Sequence, residues 1–157
     1  MPGYRNILYC TDYSEDAGVA FVYAADLAAR YHAALHVLHV LQSRHRYSPN
    51  QIYEGQPAGE LAEATPQVLE KAAERLRHEF GPRVNELKDV CYQTRVGTPF
   101  VEILRYARDH AVDLIVLGAK GSSELEPTHY GSTVDQVSRR ANCHVMAIRN
   151  PEKTYTL

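Results

Sequence analysis

Between residues 113 and 141 an apolar run, Asp113-Leu114-Ile115-Val116-Leu117, stops abruptly at a glycine. Helical spacing returns only in Val134-Asp135-Gln136-Val137-Ser138-Arg139-Arg140-Ala141, and the intervening residues 118–133 read GAKGSSELEPTHYGST. The segment therefore reads as a buried strand, a small-residue loop, and a helix that begins at Gly131-Ser132. That is the layout of a phosphate cradle: glycines let backbone N–H groups approach an anion, and a helix N-terminus faces it. The spacing is neither the Walker GxxxxGK[ST] nor the dinucleotide GxGxxG. It is Gly118, two residues, Gly121, nine residues, then Gly131-Ser132.

The rest of the chain supplies the frame for such a loop. Residues 4–11 contain a short apolar run, Ile7-Leu8-Tyr9-Cys10, followed by turn chemistry in Asp12-Tyr13-Ser14. Ser14 with Glu15 and Asp16 reads as a helix start, and Ala17, Phe21, Ala24, Ala28 and Tyr31 recur at helical steps as its inner face. Residues 35–40 form a second strand, so strand, helix and strand imply a right-handed crossover and a parallel pair. Residues 42–59 break the pattern with two prolines and two glycines; a flexible excursion and a lid are the two readings. The spacing predicts the longest helix over 60–80, with Leu61, Val68, Ala72, Leu76 and Phe80 buried and Gly81-Pro82 as its stop. Residues 90–96 suit an edge strand. Thr98-Pro99 opens a helix whose inner face is Phe100, Leu104, Ala107 and Ala111. Residues 114–117 are a fourth strand and 144–149 a fifth, ended by Asn150-Pro151. Five strands alternating with helices predict an α/β fold, a doubly wound parallel sheet with helices on both faces.

The chain resembles the universal stress protein family, whose nucleotide-binding members carry Gly, two residues, Gly, nine residues, then Gly followed by Ser or Thr. Gly118, Gly121, Gly131 and Ser132 match that pattern in full. Residues 6–14, NILYCTDYS, look like the family's opening strand and turn, and Val96-Gly97-Thr98-Pro99 like its third helix entry. Cys10 stands where Pro or Ala is commoner, and Lys120 where His or Arg is commoner. The resemblance covers nearly the whole chain and implies a Rossmann-like, adenine nucleotide α-hydrolase-like sheet of order 3-2-1-4-5. In that order the sheet reverses between strands 1 and 4, and ligands of open α/β sheets sit at such a switch point, beyond the carboxyl ends of the strands. Asp12 and Gly118 would then face one crevice.

The resemblance implies ATP, or ADP or AMP, as the bound molecule. Gly118, Gly121 and Gly131 would offer backbone donors to phosphate, with ordinary turn glycines as the plain alternative. Ser132 and Thr133 would donate hydroxyls to phosphate, cap the last helix, or both. Asp12 is an acceptor and suits the ribose hydroxyls or a Mg²⁺ ion held with the phosphates; a helix cap is its alternative. Thr11 and Leu117 flank these positions as further contacts. The resemblance sets Val40 against adenine through its backbone, where packing would also explain an apolar residue. Lys120 could screen phosphate charge or be a solvated loop lysine. Ser122, Ser123 and His129 are candidates by loop position alone.

No catalytic constellation is legible: there is no GxSxG elbow and no Cys–His or carboxylate pair. Slow Mg-dependent ATP hydrolysis, a held triphosphate attacked by a positioned water, is an alternative function, and a dimeric interaction protein that no longer binds nucleotide is another. A response-regulator reading fails for want of an acidic pair after strand 1. Among the eight histidines, His36 and His39 lie closest within an apolar segment, but three residues apart on a strand they point to opposite faces. Cys10, Cys91 and Cys143 form no CxxC pair. The formal net charge of −2 gives no bulk attraction to nucleic acid or anionic membrane. No apolar run approaches about 18 residues, and no leader-like signal opens the chain, so a soluble cytoplasmic protein is expected. The unbroken apolar strand at 144–149 lies at the sheet's edge and is expected to pair with a second copy, giving a homodimer; a further protein partner is expected but not identified by the residues.

Overall fold

A computed structural model describes residues 2–42, 65–120 and 132–152. Five strands, β1 (Asn6–Thr11), β2 (Ala34–Leu41), β3 (Val90–Val96), β4 (Leu114–Gly118) and β5 (His144–Ile148), form one parallel sheet. Its order is β3-β2-β1-β4-β5, as expected. Four helices cover it: α1 (Glu15–Tyr31), α2 (Pro66–Phe80), α3 (Pro99–Asp109) and α4 (Ser132–Arg140).

The period-2 alternation of each strand divides the core in two. Ile7, Tyr9, Leu35, Val37, Leu114 and Val116 face α1 and α2, where Ala20, Phe21, Ala24, Leu76 and Phe80 meet them. Leu8, Cys10, Leu38, Ile115 and Leu117 face α3 and α4, against Ile103, Tyr106, Ala107, Val134 and Val137. Both faces of the central strands are thus covered, which is why their sequences read as continuous apolar runs. Tyr9 is fully buried, and its hydroxyl donates to the carbonyl of Ala17 at 2.7 Å, tying α1 to β1. Burial drives its phenol pKa far above the ordinary value.

Three expectations need correction. The second helix begins at Pro66, not at residue 60: Thr65 is extended (φ −63°, ψ 154°) and its side chain accepts from the N–H of Val68, a cap with proline in the first turn. Its buried face is Ala73, Leu76 and Phe80, while Val68 is 42% exposed; Leu61 lies outside the described residues. In α3 Ala107 is buried as expected and Phe100 and Leu104 pack half-buried on the same core, but Ile103 and Tyr106 are its buried centre, and Ala111 lies past the helix in a left-handed turn (φ 48°). In α1, Tyr31 is exposed and stacks its edge on Tyr4. Residues 43–59, which hold nearly all of the segment read as excursion or lid, lie outside the described residues.

Candidate functional site

β1 and β4 are neighbours, in a register that pairs Cys10 with Leu117. Their carboxyl ends therefore leave the ladder side by side, and the two segments that follow touch. Ser14 caps α1, its Oγ accepting from the N–H of Ala17 at 3.3 Å, and the same hydroxyl donates to the carbonyl of Lys120 at 3.4 Å. Gly118 is packed beneath the first turn of α1: a Cβ there would lie 2.7 Å from the Ala17 nitrogen and from the Asp16 carbonyl carbon. The Ala119 N–H donates to the carbonyl of Ile148 at 2.7 Å, so the chain is still tied to β5 as it leaves β4.

Asp12 is exposed at the mouth of this junction, and its Oδ1 accepts from the N–H of Ser14 at 2.9 Å, an Asx turn that leads into the capping serine. The helix cap is Ser14, not Asp12. Thr11 is 5% exposed; its Oγ1 accepts from the Tyr13 N–H and its carbonyl from the Nδ1–H of His39 at 2.8 Å. Leu117 is buried in the α3–α4 core, and Val40, half-buried at the end of β2, packs against the same core. Lys120 is 8% exposed, and its Nζ is buried without a hydrogen-bond partner among the described residues. Ser132 opens α4 and Thr133 is half-buried in its first turn, so the N-terminus of that helix lies where the sequence put it. Gly121, Gly131, Ser122, Ser123 and His129 lie outside the described residues.

The structure thus brings Asp12, Ser14, Gly118 and Lys120 together. Ser14 was legible only as a helix start; its second bond, to Lys120, joins residues 106 apart and leaves no local pattern. Asp16, fully buried against Gly118, looked like an ordinary acidic residue of a first helical turn. Tyr13 is a third addition. It has a positive φ of 61°, and its ring lies between His39, at 4.9 Å, and the Arg75 guanidinium, at 3.8 Å. Burial raises its phenol pKa, with Arg75 opposing. As their spacing on a strand predicts, His39 and His36 point to opposite faces, His39 bonded to the Thr11 carbonyl and His36 set on Tyr106. Among the described residues no three His, Cys, Asp or Glu side chains are grouped to hold a metal ion.

A doubly wound parallel sheet whose order reverses between β1 and β4 defines a class: open α/β domains, in which ligands sit at such a switch point. Within that class the chain belongs to the universal stress protein family, whose family model matches residues 3–149. A Staphylococcus epidermidis protein assigned to that family is 31% identical over 153 residues, covering 97% of this chain and 88% of its own. The solved structure of the universal stress protein UspA from Lactobacillus plantarum is 32% identical with a TM-score of 0.70, covering 95% of this chain and 100% of that one. A solved universal stress protein of Methanocaldococcus jannaschii superposes with a TM-score of 0.76 at 24% identity, over 97% of this chain and 100% of that one. None of the described helices is long and apolar enough to cross a membrane.

Proposed function

We propose that this protein binds an adenine nucleotide, ATP or its di- or monophosphate, in the β1/β4 crevice and acts as a dimeric stress-response module whose bound state is read by a protein partner. The observation that carries the reading is Lys120. A buried ammonium group is costly unless an anion pairs with it, and this one sits two residues past β4 with no hydrogen-bond partner among the described residues. The residues present fit a nucleotide. Lys120 and the N-terminus of α4 would face the phosphates. The exposed Asp12 carboxylate would accept from ribose hydroxyls or hold a phosphate-bound Mg²⁺. Thr11, Val40 and Leu117 would form the wall between them, with Gly121, Gly131, Ser132 and Thr133 completing the loop that resembles the family's cradle. Two more distant solved members, 21% and 22% identical, are complexes with cAMP and with dAMP; they support an adenine mononucleotide as the common part of the ligand.

Calorimetric titration of refolded, nucleotide-stripped protein with Mg-ATP, ADP and AMP tests the reading. Heat and a raised melting temperature are expected; neither, up to millimolar nucleotide, would sink it. Asp12→Asn adds a sharper arm. Asparagine keeps an Oδ1 acceptor for the Ser14 N–H, so the turn stands, while the charge is removed. Stability should hold within about 0.5 kcal/mol and nucleotide affinity should drop about tenfold. Unchanged affinity would exclude a carboxylate role.

A further inference from the structure

At the opposite end of the sheet from the β1/β4 crevice, α3 and the turn from α4 into β5 enclose a second concavity. Its lining includes Val112, Ala141 and Cys143, which precede β4 and β5 at the strands' amino ends, with Val101, Leu104 and Ala107 along α3. The cleft has a volume of about 390 Å³, within the roughly 300–1,000 Å³ common for small-ligand sites. Among the described residues three arginines, Arg105, Arg108 and Arg140, line it, and no acidic side chain does.

The cations differ in how far they are committed. Arg105 pairs with Glu102 at 2.9 Å and Arg108 with its neighbour Asp109 at 3.0 Å, both arginines being well exposed at 58% and 74%. The Arg108–Asp109 pair, solvated on both sides, is of the kind that contributes little and exchanges partners readily, whereas the Glu102 side chain is only 13% exposed. Glu102 also lies 3.8 Å from Arg95, so one carboxylate serves two guanidinium groups. Arg140 has no carboxylate among its described partners. It donates to the neutral amide oxygen of Gln136 and lies 5.5 Å over the ring of Phe100. The cleft therefore offers an apolar floor with surplus positive charge at its rim.

We infer that this cleft is a binding site for a small amphipathic anion, an aliphatic or aromatic body carrying a carboxylate or phosphate head. The body covers Leu104, Val112 and Ala141, and the head meets Arg140 with Arg105 or Arg108. Guanidinium groups recognise both head groups through paired N–H donors. Cys143, half-buried in the lining, serves as the reporter: burial raises its pKa, so it is a slow thiol whose alkylation reads access to the cleft.

The test uses the full chain and follows N-ethylmaleimide labelling of Cys143 by peptide mass analysis, with the half-exposed Cys91 as internal control. Octanoate and octyl phosphate are the probes, and they separate a carboxylate from a phosphate head. Either one, at low millimolar concentration, is expected to slow Cys143 labelling by about fivefold or more, octanol and octylamine are expected not to slow it, and Cys91 labelling stays unchanged throughout. The double variant Arg105→Gln/Arg140→Gln should lose about tenfold in probe affinity with an unchanged Cys91 rate and melting temperature. Equal protection by octanol would overturn the anion assignment. No protection of Cys143 by either anion at tens of millimolar would overturn the site itself.

Discussion

A methyl group at residue 118 would stand 2.7 Å from the backbone of Ala17 and of Asp16, with the Asp16 Cβ at 2.9 Å. Two of those obstacles are main chain of a capped helix and cannot swing aside. Gly118→Ala should therefore destabilise the protein by about 1–3 kcal/mol, measurable as a lower urea midpoint, by pushing α1 off β4. The glycine most visible as a phosphate contact in the sequence is thus required by packing, and a binding defect in that variant would say nothing about phosphate. Lys120 and Asp12 are the informative positions. His36 offers a second residue-level prediction. It faces Tyr106, 2.8 Å from its hydroxyl, and the His110 ring at 5.6 Å, with Cys91 beyond the phenol and Arg95 over the Tyr106 ring. Burial, then His110, lowers its pKa below 6.5, with Asp89 opposing. The folded state then binds fewer protons than the unfolded chain. Stability from this group is complete above pH 6.5 and is lost as pH falls through that value toward the lowered folded pKa. The urea midpoint should fall between about pH 7 and 5, and His36→Gln should flatten that slope; an identical slope in the variant would remove His36 as its source.

Elements were legible to the extent that their side chains carry direction. The three central strands were readable because Ile7-Leu8-Tyr9, Leu35 with Val37-Leu38, and Leu114 to Leu117 are buried on both faces, so a run suffices and no face has to be chosen. The helices lean on alanine, which fits either side. In α2 the pair Ala72-Ala73 gave no orientation: Leu76 and Phe80 are buried as expected, but Ala73 rather than Ala72 joins them and Val68 is exposed. Its start was misplaced because the sequence before Thr65-Pro66 is rich in strong helix formers, Glu60-Leu61-Ala62-Glu63-Ala64, although proline at the first position behind a threonine is itself a start signal. Thr65→Ala tests the corrected boundary. Losing the 3.3 Å bond to the Val68 N–H should cost about 0.5–2 kcal/mol, read by chemical denaturation; no loss would mean that the helix is anchored elsewhere. At the site, the glycine spacing and Asp12 stood out because they are local. The Ser14–Lys120 bond and the contact between Gly118 and α1 are tertiary, and only the folded sheet makes them visible.

Over the whole molecule, the sheet ends on β3 and β5, and among the described residues nothing pairs with the outer side of β5. Backbone direction there can be worked out from two bonds. The His144 N–H donates to Asp113, and the Ile148 carbonyl accepts from Ala119, both toward β4. In a parallel strand the N–H and C=O of one residue point the same way and alternate along the chain. Val145 and Ala147 therefore present their backbone groups outward, on a segment without charge or proline. The proposed homodimer would pair these groups with those of a second β5 across a two-fold axis. Proline at residue 147 would delete one outward donor while sparing the bonds to β4, a change an edge strand tolerates. Light scattering at micromolar concentration should report a dimer for the parent chain and a 17.7 kDa monomer for Ala147→Pro, with melting temperatures extrapolated to low concentration in agreement. Proline at residue 146, whose N–H points inward, should instead unfold the edge and lower stability in monomer and dimer alike. A parent chain that runs as a monomer, or an Ala147→Pro variant that remains dimeric, would place the association surface elsewhere or remove it.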